Sequence, residues 1–213
     1  SDLEVLQEVS HALAQQRSLR AVTGELVNSI VSRLGFDGAT VLLFNGESQL
    51  HSVDSAPRDR ATSDYLMQLT IEGTSARTLR AALTSGSPAR FVASPDQRVE
   101  PPIRALLTEL AAEEVLAVPL AGFNGLTGML LVDNRRGRNS FSSYDSSVLQ
   151  SVAAQAGVAI ENARSVAELR EQLRTSGESE DLAAVGAVAL STLLELEASS
   201  ETKSQEWERL EEA

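Results

Sequence analysis

The stretch from Val115 to Arg164 constrains this chain more than any other. It opens with an apolar run, Val115–Leu120, turns around Asn124-Gly125, and returns through Leu126–Asn134. Two such runs about an Asn-Gly turn predict an antiparallel hairpin, because these residues accept the positive φ of a tight turn. Both runs are apolar for most of their length, which suits central strands covered on both faces. An arginine-rich loop follows, then Ser142 and Asp145, a Ser-x-x-Asp pair that can satisfy the free amides at a helix start. Phe141 stands just before this cap, but the residue it would staple, Ser146, is polar. The spacing predicts a long helix over 143–174. Leu149, Val152, Ala156, Ala159, Ala163 and Val166 form a near-heptad stripe of mostly small residues on it, which permits close helix approach.

Upstream, the apolar period changes twice. Asp2–Leu34 is helical: Leu3, Leu6, Val9 and Leu13, then Leu19, Val22, Leu26, Ile30 and Leu34, recur at three- and four-residue steps. A break falls at Gln15–Ser18, with Ser18 as N-cap of the second helix and Gly35 as its stop. Ala39–Asn45 and Gln49–Asp54 read as strands about a turn at Asn45–Ser48. An irregular polar stretch, Ser55–Ser63, precedes a short apolar patch at Tyr65–Leu69. A helix is predicted at Thr74–Leu83, a short strand at Ala89–Val92, and a helix from Pro101-Pro102 to about Ala112, since proline is tolerated in a first helical turn. Thr175–Ser179 breaks the long helix, and helices over Leu182–Leu196 and Glu201–Glu212 follow. The expected organisation is one domain over 1–174 and a helical extension over 175–213 with an acidic tail.

Composition narrows the function. The 213 residues, 42% hydrophobic, suffice for one well-buried core, or a core plus an appendage. No apolar run approaches the ~20 residues of a membrane helix. The start, Ser1-Asp2-Leu3, has neither methionine nor a signal-peptide pattern, as expected of a piece of a longer polypeptide. The absence of cysteine excludes disulfides, thiolate catalysis and thiolate metal sites, and fits a cytoplasmic setting. A net charge of −12 argues against nucleic acid and anionic membrane as partners. Seven Glu against Lys203 and Arg209 concentrate acid in Glu195–Ala213, which reads as a solvated helical face or frayed end.

The order of hairpin, capped helix and Gln155-Ala-Gly-Val-Ala-Ile-Glu-Asn-Ala-Arg164 closely resembles the C-terminal half of a GAF domain. Leu34–Val41 is similar to the entry into the first strand of that family. Glu72-Gly73 through Leu83–Pro88 is similar to its glycine–helix–Gly-x-Pro segment. The resemblance covers roughly residues 3–170. It implies an α+β fold: an antiparallel sheet with the terminal helices on one face and a small-molecule pocket under shorter helices on the other, plus C-terminal helices. Such modules are receivers and dimerisation units of signalling proteins.

Members that bind cyclic nucleotides often carry Asn-Lys, then Phe, then Asp-Glu. Here Asn134-Arg135, Phe141 and Asp145-Ser146 fall at that spacing, with arginine for lysine and serine for glutamate. The resemblance implies a structural latch near the pocket; the alternative is a loop tie and helix cap. Arg77, Arg80, Arg90 and Asp96, with Arg98, are the candidate ligand-binding groups, since clustered arginines can hold phosphate or carboxylate bidentately. They also suit exposed positions on surface helices. A cyclic nucleotide or other small anion is the expected ligand class. Covalent bilin and thiol-based reduction of methionine sulfoxide both need cysteine. Haem and zinc are not expected with only His11 and His51. Asp181–Ala189 resembles the start of a histidine-kinase dimerisation helix, but Leu190–Glu195 supplies no histidine.

No Ser/His/Asp arrangement, glycine-rich phosphate loop or acid–base carboxylate pair is recognisable; Glu113 and Glu114, being adjacent, point apart. The expectation is a non-catalytic sensory or regulatory module that forms a homodimer through its terminal helices. The stripe from Leu149 to Val166 is its expected interface, and a downstream signalling domain or protein its output. The alternatives are a ligand-free interaction module and the input region of a histidine kinase or phosphatase.

Overall fold

The computed structural model describes residues 2–16, 18–45, 49–56, 60–72, 77–94, 99–135 and 140–175. The chain divides into two compact units, Ser1–Ser165 and Val166–Ala213. The second is described over 166–175 alone, where it is helical and exposed. The expected helices at Leu182–Leu196 and Glu201–Glu212 lie outside the described residues.

Two helices begin the first unit, α1 (Asp2–Ala14) and α2 (Leu19–Ser32). The Ser18 hydroxyl accepts the Ala21 amide at 3.2 Å and starts α2 as predicted. Gly35, at φ +76, ends it by letting the Phe36 amide turn back to the Ile30 carbonyl. The strands are β1 (Gly38–Asn45), β2 (Gln49–Ala56), β3 (Thr70–Glu72), β4 (Ala89–Val92), β5 (Ala112–Gly122) and β6 (Gly125–Arg135). Between them stand α3 (Arg60–Met67), α4 (Arg77–Ser85) and α5 (Pro101–Glu109). A last helix, α6, occupies 143–175.

The six strands form one antiparallel sheet in the order β3-β2-β1-β6-β5-β4. The three most apolar strands, β1, β6 and β5, are central, which is why their sequences do not alternate. Alternation reappears in where each residue points. Val41, Leu43, Leu116, Val118, Leu120, Leu130 and Val132 join α1, α2 and α6 in one core. Leu42, Val115, Ala117, Met129 and Leu131 join α3, α4 and α5 in a second. The sheet therefore has a helix face and a lid face.

Three places depart from the sequence expectation. Residues 60–67 form one helix across the end of the expected irregular stretch and the start of the apolar patch, because Leu66 alone anchors α3 fully and one anchor leaves no period to read. Thr70–Glu72 form a strand where none was expected. At the third, α5 stops at Glu109, and Ala111, at φ +48, turns the chain so that β5 starts at Ala112.

Candidate functional site

The sensing face implied by the resemblance is the lid face. Among its strand positions, Thr40 is fully buried beside Leu131, and the Ser52 hydroxyl, opposite Leu42, is buried with no partner among the described residues. A one-residue bulge, Val53, lies between Ser52 and Asp54, so Ser52 faces the lid while Asp54 turns to α2 and accepts the Thr23 hydroxyl at 3.2 Å. The core on the same face is apolar: Leu66, Leu79, Ile103 and Leu106 are all fully buried.

Two of the lid helices, α4 and α5, are tied to each other by one carboxylate. Glu100, at the start of α5, accepts the Thr78 amide at 2.9 Å and the Thr78 hydroxyl at 2.6 Å, capping α4 from a distant residue. Burial opposes ionisation of Glu100, but these two hydrogen bonds and the neighbouring Arg77 outweigh it and hold the carboxyl below its ordinary range. On α3, burial pushes the Tyr65 hydroxyl pKa up, and the charge of Glu109 on α5 adds to the shift.

The predicted arginine cluster is divided. Arg77 and Arg80 are exposed on α4, above the lid face. Arg90 pairs in register with Leu116 and so projects from the helix face, which corrects the expectation that it joins them. Its Nε contacts Glu114 Oε1, while Glu114 Oε2 accepts the Phe141 amide at 2.8 Å. Asp96 and Arg98 lie outside the described residues.

Glu114 is what sequence reasoning missed. Its carboxylate is almost wholly buried, and it ties the loop after β6 to the sheet. Phe141 itself is buried and packs at 5.6 Å between ring centroids on Phe36. Asp145 does cap: its Oδ2 accepts the Ser142 amide at 2.8 Å and hydroxyl at 2.7 Å, and the Ser142 hydroxyl accepts the Asp145 amide at 3.1 Å. Asn134 is buried, pairing in register with Glu114, and Arg135 ends β6 opposite Ala112.

The helical stripe is also reassigned. Leu149, Val152, Ala156 and Ala163 are buried in the chain's own helix-face core, with Ala159 packed at its margin and partly accessible. Those four cannot also form the expected dimer seam. Small residues let α6 lie close on its own sheet; Gly157 passes so near that a Cβ there would collide with the Ala121 carbonyl. Val166, by contrast, is 43% exposed. The accessible side of α6 meets α1 across a groove of about 510 Å³ lined by Ser10, Gln16, Gln155, Val158, Ala159 and Asn162, with Leu13 at its floor.

His11 contacts Gln15 at 2.8 Å, and His51 Nδ1 lies 2.9 Å from the Thr70 hydroxyl. Among the described residues no three His, Asp or Glu side chains gather at a common metal position, and no helix is long and apolar enough to cross a membrane.

No curated protein matches this chain. Solved structures do. The GAF domain of a phosphoenolpyruvate-protein phosphotransferase from Coxiella burnetii superimposes with a TM-score of 0.65 at 14% identity, covering 78% of this chain and 96% of that one. The corresponding Acinetobacter domain gives 0.62 at 16%, covering 78% and 97%. The phycocyanobilin-bound GAF domain of a cyanobacterial phytochrome gives 0.62 at 16%, covering 76% and 95%. At these identities the likeness is one of fold: a six-stranded antiparallel sheet with helices on both faces. The family model described as GAF domain matches residues 16–161, more than half of the chain, and with the fold it shows that this chain belongs to the GAF domain family.

Proposed function

We propose that this chain is a sensory and regulatory GAF module without catalytic turnover, which binds a small molecule on the lid face and relays that state to an output domain. The observation that carries the proposal is the unequal construction of the sheet. Thr40 and the Ser52 hydroxyl are buried on the face that carries the short helices, while the long α6 is built into the other. Polar groups inside an apolar enclosure fix a ligand's orientation, and short covering elements can part to admit it. Phytochrome, phosphotransferase and chemotaxis-protein relatives of this fold support a signalling setting. Covalent attachment of a bilin is not open to a chain without cysteine. With Arg90 engaged by Glu114, Arg77 and Arg80 are the described members of the predicted cluster placed to meet an anionic ligand at the lid face.

Thermal shift against nucleotides, cyclic nucleotides and small carboxylates is the test. A saturable stabilisation reduced by Ser52→Ala supports sensing. No shift across the panel favours the second reading, a ligand-free interaction module, to which the fully buried Leu42, Leu66, Leu79, Leu106 and Met129 lend support. Nucleotide hydrolysis, or autophosphorylation from ATP, by clean protein would overturn the non-catalytic part.

The homodimer is part of the same proposal, moved from the buried stripe to exposed surfaces. The α1–α6 groove is one. Val166, Leu169 and Leu173, exposed at three- and four-residue spacing, are the other. Ala159→Glu places a charge at the groove and should shift the protein toward monomer in sedimentation; an unchanged dimer would remove the groove from the interface.

A further inference from the structure

We propose that Glu161 is a mechanical clamp through which the β5–β6 turn sets the position of α6 before that helix leaves the domain. The Glu161 carboxylate collects three donors from the turn. Asn124 N–H donates to Oε1 at 3.0 Å, the Asn124 side-chain amide donates to the same oxygen, and Phe123 N–H donates to Oε2. Two backbone amides and a side chain converging on one carboxylate hold it in distance and in direction, since charge-assisted hydrogen bonds are the stronger kind. The clamp also has no slack. A Cβ on Gly122 would collide with the Glu161 side chain, and one turn of helix earlier Gly157 admits the Ala121 carbonyl where any Cβ would exclude it. One turn later, Arg164 Nη2 donates to the Phe44 carbonyl at the end of β1, at 3.3 Å. Residues 157–164 of α6 are thus held by both central hairpins at one end of the sheet.

What the clamp can pass on follows from which strands it grips. β5 and β6 present Val115, Ala117, Met129 and Leu131 to the lid and pair at ten positions, with register shifts at Ala112/Glu114 and Leu120/Ala121, down to Gly122–Gly125. A displacement of these strands from the lid side carries their turn with it, and the turn carries α6. That last step rests on the sensory function proposed above; the clamp itself does not.

Amide hydrogen exchange in the ligand-free protein tests it. Glu161→Ala should speed exchange at the Phe123 and Asn124 amides roughly tenfold, the scale of one or two lost hydrogen bonds, and should speed exchange across residues 158–165 as well. Amides of β1 and β6 should stay as they were. Glu161→Gln keeps one acceptor and should fall between, and it carries the test alone if the alanine variant does not fold. Gly122→Ala should reproduce the effect, and do so far less in a Glu161→Ala background, where most of the colliding side chain is gone. Faster exchange confined to the turn, with residues 158–165 unchanged, would overturn the clamp; so would additive effects of the two substitutions. A ligand panel that fails would count against sensing and leave these outcomes untouched.

Discussion

The two faces of the sheet are covered by different means. On the helix face, α2 and α6 lay long apolar stripes over the central strands, and the core they close runs unbroken from Val9 to Ala163. On the lid face, α3, α4 and α5 have only 8, 9 and 9 residues, and β3 has 3. Helices that short have little stability of their own and depend on what they pack against. One side of the sheet is therefore a chassis and the other a cover. A binding module needs both, because a ligand can part only what the rest of the domain does not depend on.

The sharpest way to break this comparison is to make the same deletion on each side. Leu26 in α2 and Leu79 in α4 are both at most 1% exposed. Leu26→Ala should cost about 4 kcal/mol in urea unfolding, toward the upper part of the range for such deletions. Leu79→Ala should cost nearer 2 kcal/mol, and faster hydrogen exchange confined to the lid should accompany it. Equal costs in one global transition would make the two faces a single cooperative body and end the distinction.

A smaller effect tests whether the chassis is also held by polar chemistry. Glu114→Ala strands the buried Phe141 amide and releases Arg90, so unfolding stability should fall by roughly 1–3 kcal/mol. Glu114→Gln keeps an acceptor for the amide and should lose less. A neutral Glu114→Ala would mean that the Phe141 ring on Phe36 suffices to hold the loop.

The smallest effect belongs to the cover. Glu100 has its folded-state pKa below its unfolded value, so its contribution is complete above the ordinary glutamate range of about 4.3 and is lost as pH falls through the depressed folded value. The Thr78 amide resonance should titrate in that acid window while β5 and β6 amides stay still, and Glu100→Gln should abolish the titration. A Thr78 amide that moves only with global acid unfolding would mean that the clasp does not govern α4.

Much of the chassis was legible in the sequence, because periodicity and caps are local. Ser18, Gly35 and the Ser142–Asp145 pair mark element boundaries by chemistry that acts within a few residues. The cover was harder to read: α3 and β3 rest on one fully buried anchor each, Leu66 and Ile71. The roles of charged residues were hardest. In the sequence Glu114 is only one of two adjacent carboxylates that point apart, until Arg90, 24 residues before it, and Phe141, 27 after it, meet its two oxygens. The alanine stripe misled for a physical reason: close packing on a sheet and close packing in a coiled coil ask for the same small side chains, and spacing alone does not say which surface they meet.

The pairing of β1 with β6 has a consequence for how the domain is made. Those strands form the central seam, yet Gly38–Leu43 meets Gly128–Asp133 only after some ninety intervening residues. The two flanking hairpins are local and can form early, each with one apolar edge open. During synthesis the β1–β2 hairpin emerges first and waits with its β1 edge bare until β6 leaves the ribosome, at a translation rate of ~5–20 residues per second. For those seconds the nascent chain exposes a strand built to be covered on both faces, the form of surface most prone to wrong pairing. How long that edge stays bare is set by how soon the last strand arrives.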